Sequence, residues 1–164
     1  MSLEEDLVRN ARDVYGIRWQ DHLMRQYVLY VQMADKVSQR RMASNTFFTS
    51  MNSAMLAVYG MMVSSTIIQR SVLLAALTSA GLLLSLTWYF TIRSYSQLNS
   101  GKFKVVQQLE KLLPTSPYDA EWTALGRGEN RRLYWPMTHV ERWVPLLFAA
   151  AYVALLVLGL LERY

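Results

Sequence analysis

Charge vanishes from the chain in three places. Met42–Gln69, Ser71–Ile92 and Val144–Leu161 contain no Asp, Glu, Lys, Arg or His over 28, 22 and 18 residues. A hydrocarbon core of about 30 Å takes roughly 20 residues of helix. Each stretch is therefore long enough, or nearly so, to cross a bilayer. Only Arg70 separates the first two, which predicts an antiparallel transmembrane hairpin with spans at about 46–68 and 72–92. A third helix in 143–164 returns across the membrane. The expected fold class is all-α: a polytopic membrane protein with three transmembrane helices and a small cytosolic helical region.

The polar segments carry their own pattern. Residues 1–41 predict a helical arm, with Leu23, Tyr27, Tyr30, Ala34 and Val37 at alternating spacings of four and three, an apolar seam on one helix face. Leu3, Leu7 and Val14 form a weaker seam out of register with it, and Gly16 between them predicts a break. The main seam packs on the protein's own cytosolic connection, pairs with another copy, or lies on the membrane surface; Asp13, Asp21 and Asp35 weigh against the last. In the connecting segment 93–142, a helix at about 100–113 presents Phe103, Val106, Leu109 and Leu113 on one face, and Pro114 ends it. Pro117–Trp122 reads as a turn with a short helix, and Gly126–Arg132 as an exposed loop. Thr138 and Glu141 fit a capping box at the start of the third span.

The net charge of +5 takes its meaning from where the cations lie. Seven Lys/Arg fall in 1–41 and eight in 93–143, fifteen of the seventeen in all. Lys/Arg-rich loops stay cytoplasmic, so the N-terminus is expected inside and the C-terminus outside, in a bacterial inner membrane. That distribution removes the need for a nucleic-acid partner. The acidic start lacks the basic and apolar regions of a signal peptide, so Met42–Gln69 is expected to act as an uncleaved anchor. Arg40, Arg41, Trp88, Tyr89, Arg93, Arg142 and Trp143 are expected as membrane-interface anchors, because aromatic rings beside cations favour the headgroup level. Arg40, Arg41, Lys102, Lys104, Arg131 and Arg132 would meet anionic headgroups there, at about 1 kcal/mol each, or alternatively an anionic nucleotide or acidic protein.

Within the spans, small residues mark helix packing. Ser53, Ala57, Gly60 and Ser64 share one face of the first span, and Gly81 and Ser85 one face of the second. Close approach across small residues drives helix association in lipid, so these faces are expected to meet inside the hairpin, to join copies, or to line a pore. Asn52 is the most polar side chain within a span and should face another helix. No Asp, Glu, Lys, Arg or His sits inside a span, which argues against a proton- or ion-coupled transporter.

Candidate chemistry is sparse. There is no cysteine. His22 and His139 lack metal-ligand spacing, Gly126-x-Gly128 lacks the context of a phosphate loop, and Asp119, Glu121 and Glu129 read as a solvated acidic loop. No catalytic residue, metal or cofactor is expected.

Three stretches, 93–106, 113–128 and 134–145, resemble those of small uncharacterised bacterial integral membrane proteins, some of which lie near predicted anti-phage or stress-response genes. The resemblance covers roughly residues 44–160 and implies a membrane component of a defence or stress system. The expected function is a non-enzymatic membrane component that oligomerises or recruits a cytosolic partner, in the manner of a membrane-perturbing effector. Alternatives are a small oligomeric channel or pore, and a passive membrane anchor or adaptor.

Overall fold

The structure, a computed structural model, describes residues 7–10, 12–64, 70–129, 132–135 and 137–161, leaving aside the side chains of Arg70, Thr138 and His139. Among the described residues there is helix and turn and no strand. Helix α1 is Arg12–Tyr15, α2 is Trp19–Val63, α3 is Arg70–Glu110, α4 is Pro117–Ala124, α5 is Met137–Glu141 and α6 is Trp143–Leu161. A single 3-10 turn, Gly126–Gly128, follows α4.

Breaks fall where backbone chemistry demands them. Gly16 has φ +90°, a left-handed conformation that glycine adopts without steric penalty, and it separates α1 from α2. No proline occurs between Gly16 and Pro114, so nothing removes a ladder donor from α2 or α3. The result is two long helices of 45 and 41 residues. The arm and the first hydrophobic stretch, expected as separate elements, are one helix. The helix expected at 100–113 is the last part of α3, which stops at Glu110 ahead of Pro114. A lone Gly101 costs about 1 kcal/mol in a helix interior, too little to interrupt a ladder of this length.

Among the described residues, two helices are long and apolar enough to cross a membrane, where the sequence predicted three: α3 from Ser71 onward, and α6. Most of each apolar stretch is unburied within the chain, unlike the core helix of a soluble protein. The first stretch does not qualify because Thr46, Thr49, Ser50, Asn52 and Ser53 dilute its apolarity, and residues 65–69 lie outside the described residues. The start of α6 also differs from expectation. Helix α5 already begins at Met137, so Thr138 is not the residue that opens the third span; its side chain lies outside the described residues. The Glu162–Tyr164 end, the Arg70 side chain and Arg131 likewise lie outside them.

The chain divides into two compact units. One combines Met1–Gln39 with Tyr95–Pro136; the other combines Arg40–Ser94 with Met137–Tyr164. In the first, Leu23, Ala34 and Val37 of α2 are buried, as are Val106 and Leu109 of α3, so the arm's apolar seam is covered by its own chain. In the second, the buried residues are Asn52, Thr78, Ser85, Trp88, Ile92, Pro145, Ala149 and Tyr152.

Candidate functional site: a buried polar knot and an outward hydroxyl face

Asn52 organises the second unit. Its side chain is fully buried. The amide Nδ2 donates to Phe48 O at 2.8 Å, and Oδ1 accepts from Ser85 Oγ at 2.9 Å. Ser85 Oγ also lies 2.9 Å from Gly81 O, one turn back on α3. From α6, Tyr152 donates its hydroxyl to Asn52 O at 3.1 Å. The Tyr152 ring lies directly on Gly81, where a Cβ would overlap it; the glycine is needed for that approach. A second cross-link lies nearby. Trp88 Nε1 donates to Asn45 Oδ1 at 2.9 Å, and the indole stacks on Phe48 with centroids 5.9 Å apart and touches Phe148 at 6.1 Å. Neutral amides and hydroxyls thus join α2, α3 and α6 without a formal charge.

The outward faces of these helices differ in how densely hydroxyl and small residues line them. Helix α3 exposes Val72, Leu73, Leu83, Leu86 and Phe90, with the hydroxyls of Ser79 and Thr87 bonded back to Ala75 O and Leu83 O among them, and α6 exposes Leu146, Leu147, Val153, Val157 and Leu158. Those surfaces suit lipid. Helix α2 and the residue after it instead expose Thr46, Thr49, Ser50, Ser53, Ala57, Gly60 and Ser64 along one side, flanked by Phe47, Met51, Val58 and Met61. Thr46, Thr49 and Ser64 return their hydroxyl protons to Met42 O, Asn45 O and Met61 O at 3.1, 2.8 and 3.0 Å. Among the described residues, Ser50 and Ser53 make no side-chain hydrogen bond.

This arrangement corrects the expected pairing of small-residue faces inside the hairpin. Gly81 and Ser85 are buried, but Ser53, Ala57, Gly60 and Ser64 point outward and do not meet them. The residue on α2 that reaches Ser85 is Asn52. The expected anchors also separate. Trp88 is 2 % exposed and belongs to the core rather than to a headgroup belt, because Asn45 satisfies its N–H. Trp143 is 65 % exposed. Arg40 and Arg93 are exposed, and Tyr89 and Arg142 half-buried. Arg41 pairs with Glu141 at 3.7 Å, tying α2 to α5.

The first unit is fastened differently. Glu110, 1 % exposed, ends α3 and caps α4. Its Oε1 accepts from Tyr118 N at 3.0 Å and its Oε2 from Asp119 N at 3.1 Å. These are N–H groups of the first turn of α4, which have no partner within the helix. Ser116, at the N-cap position, makes no side-chain cap bond, so a carboxylate eight residues upstream of Tyr118 takes that role, favoured by the helix dipole. Tyr27 on α2 donates its hydroxyl to the same Oε1 at 2.9 Å. Desolvation, then the hydrogen bond and negative charge of Glu110, push the Tyr27 phenol up to about 12. Tyr118 is also raised, chiefly by burial and then by Asp35. Lys102 lies 4.7 Å over the Tyr30 ring, and Lys104 is exposed.

Sequence reasoning missed Glu110, Asn45 and Tyr152. Glu110 and Tyr152 each carried a signal. Glu110 is an acid beside the apolar seam Phe103, Val106, Leu109, Leu113, and Tyr152 is the lone hydroxyl-bearing side chain between Pro145 and Leu161. His22 has its Nδ1 2.8 Å from Tyr15 Oη, and Asp119 lies 3.5 Å from Arg127; among the described residues no group of three or more His, Cys, Asp or Glu is placed to hold a metal ion.

Long helices with lipid-compatible outer surfaces, joined inside by neutral hydrogen bonds, define an all-helical integral membrane protein. The chain belongs to the octameric membrane protein family (8xMP), whose model matches residues 24–161. No curated protein and no solved structure matches it. The matched region runs from α2 to the end of α6 and so includes both the knot and the outward hydroxyl face.

Proposed function

We propose that the chain is a non-enzymatic subunit of a homo-octameric membrane assembly, joined through the outward face of α2. The observation that carries this is the continuous row of small and hydroxyl residues exposed on one side of α2, from Thr46 to Ser64. Helices in a bilayer associate through such residues because they permit close backbone approach. The family's name supplies the copy number.

On this reading the Met42–Val63 part of α2 crosses the membrane as a third span. Its low apolarity counts Asn52 against it, yet Asn52 is buried and hydrogen-bonded, and Thr46 and Thr49 are satisfied by their own helix. What remains polar on the surface is the face assigned to other copies. The cation distribution supports a bacterial cytoplasmic membrane with the N-terminus inside, and the resemblance noted above supports a defence or stress system. The cytosolic unit, with its exposed Arg and Lys side chains, is then the part available to a protein partner.

Native mass spectrometry in mild detergent tests this. A mass of eight chains is expected, and a strict monomer would refute the assembly. Reporter fusions test the topology separately: a C-terminal fusion scored as cytosolic would remove the third span.

A further inference from the structure

We propose that the arginine-bearing end of the second unit binds an anionic phospholipid whose headgroup also carries a hydroxyl, as phosphatidylglycerol does. The lipid phosphate lies on Arg41 and Arg142, and the headgroup hydroxyl donates to Glu141. The site belongs to a single chain, so it does not depend on the number of copies in the assembly.

Four arginines of this unit stand at one level. Trp88 of α3 bonds Asn45 of α2 and touches Phe148 of α6, which defines a layer across the three helices. Asn52 of α2 bonds Ser85 of α3 and accepts from Tyr152 of α6, so α3 runs opposite to the other two. Arg40 and Arg41 precede Asn45 by five and four residues, Arg93 follows Trp88 by five, and Arg142 precedes Phe148 by six. At 1.5 Å per residue, all four lie about 6–9 Å beyond the layer, on the same side of it. Between 40 and 94, and between 137 and 161, Glu141 is the one acid. A net anion is therefore the ligand that lowers the local charge; a zwitterion leaves it unchanged.

The pair at the centre of this cluster is under-satisfied. The side chains of Arg41 and Glu141 are each 20 % exposed, and the 3.7 Å between Nη1 and Oε2 is an ion pair too long for a hydrogen bond. Glu141 Oε2 is shielded from solvent and accepts no hydrogen bond among the described residues. Arg41 can only donate, and among the described residues that ion pair is its sole polar contact. One headgroup answers both needs. Its phosphate accepts from the guanidinium, which suits phosphate through paired N–H groups, and its hydroxyl supplies the donor that the carboxylate lacks.

The surfaces leading away from the site suit the acyl chains. Arg40 and Phe47 lie two turns apart on one side of α2, Phe90 and Arg93 share a side of α3, and Trp143 and Leu147 a side of α6, all of them exposed. Each outward face thus passes from apolar side chains to an arginine or an indole at the same level, the order of groups met between hydrocarbon and headgroups. Phe47 precedes Ser53 by six residues, about 120° round α2, so a lipid here leaves the hydroxyl row free for another copy.

Titration of the delipidated full chain in mild detergent tests this, with lipid adducts counted per chain by native mass spectrometry, so that the result is readable whether or not the octamer holds. Phosphatidylglycerol is expected to bind at least tenfold more tightly than phosphatidylcholine of the same acyl chains. It should exceed phosphatidylethanol, which has the same charge and no headgroup hydroxyl, by about threefold. Glu141→Ala should abolish that second preference. Arg41→Gln, and Arg93→Gln at an exposed position that cannot disturb the core, should each weaken phosphatidylglycerol by about fivefold. Lys104→Gln, which removes an exposed cation from the first unit, should leave it unchanged. Equal affinity for phosphatidylglycerol and phosphatidylcholine, or an equal loss in Lys104→Gln and Arg41→Gln, overturns the site. Equal affinity for phosphatidylglycerol and phosphatidylethanol overturns the assignment of the headgroup.

Discussion

The two units face the same mechanical problem, fastening long helices to one another, and use opposite chemistry. In the unit built on Arg40–Ser94, Asn52, Ser85 and Tyr152 connect three helices with neutral groups. In the unit built on Met1–Gln39 and Tyr95–Pro136, a carboxylate, Glu110, collects three donors from two helices. The difference follows the surroundings. An unpaired charge at the centre of a bilayer costs about 2.5–3.5 kcal/mol even on insertion scales, whereas an amide that satisfies its own helix and one neighbour brings little penalty. Beside water, hydrogen bonds to a charged acceptor are worth about 1.5–3 kcal/mol, more than neutral ones.

Exchanging the two chemistries tests the comparison most sharply. Asn52→Asp puts a carboxylate where the knot sits and removes the donor to Phe48 O. A loss of about 3 kcal/mol is expected, read as a lower midpoint in sodium dodecyl sulfate titration of the reconstituted protein. A change under 1 kcal/mol would mean that this unit is hydrated.

Gly81→Ala probes the same knot by volume. Its methyl group displaces the Tyr152 ring, and overpacking of this kind costs about 1–3 kcal/mol. Gly101→Ala, where a Cβ meets nothing within 4 Å, serves as the control and should be neutral or slightly stabilising.

In the other unit, Glu110→Gln keeps the shape but turns an amide N–H₂ toward one of the donors. A loss of about 1–2 kcal/mol is expected, confined to faster hydrogen exchange in α4 and the end of α3. Equal loosening of α6 would show that the latch is not local.

Tyr27 supplies a pH test. Its folded phenol is raised to about 12 from an ordinary value near 10, so the folded state holds its proton more tightly than the unfolded one. The resulting stabilisation is complete below about pH 10 and is lost as pH rises toward 12. Absorbance at 295 nm should show Tyr27 ionising late, beside the also raised Tyr118, together with loss of α4 structure, and Tyr27→Phe should lower the late amplitude by one tyrosine. The smallest effect is expected for Arg41→Ala. The Arg41–Glu141 pair is 3.7 Å long and still partly exposed, so less than about 1 kcal/mol is expected.

Much of this architecture is legible along the chain. The uncharged stretches, the break at Gly16, the seam Leu23 to Val37 and the stop before Pro114 all follow from rules that act on neighbouring residues, because solvation and backbone sterics are local. The union of the arm with the first stretch into one 45-residue helix was not legible, since nothing in hydropathy says whether a helix stops where polarity changes. Nor was Glu110, whose partners are a phenol 83 residues away and the amides of a helix not yet begun.

The decisive case is the step from Asn52 to Ser53. Both are polar, and composition treats them alike. A helix turns about 100° per residue, so adjacent positions face different neighbours. Packing of α2 against α3 and α6 put Asn52 inside, where Ser85 and Tyr152 satisfy it, and left Ser53 outside with Thr49, Ala57 and Gly60. The sequence alone determined that this is a helical membrane protein with uncharged spans. Only the tertiary structure decided which polar residues bind the helices together and which remain on the outer face, because that choice depends on rotation about a helix axis and not on composition.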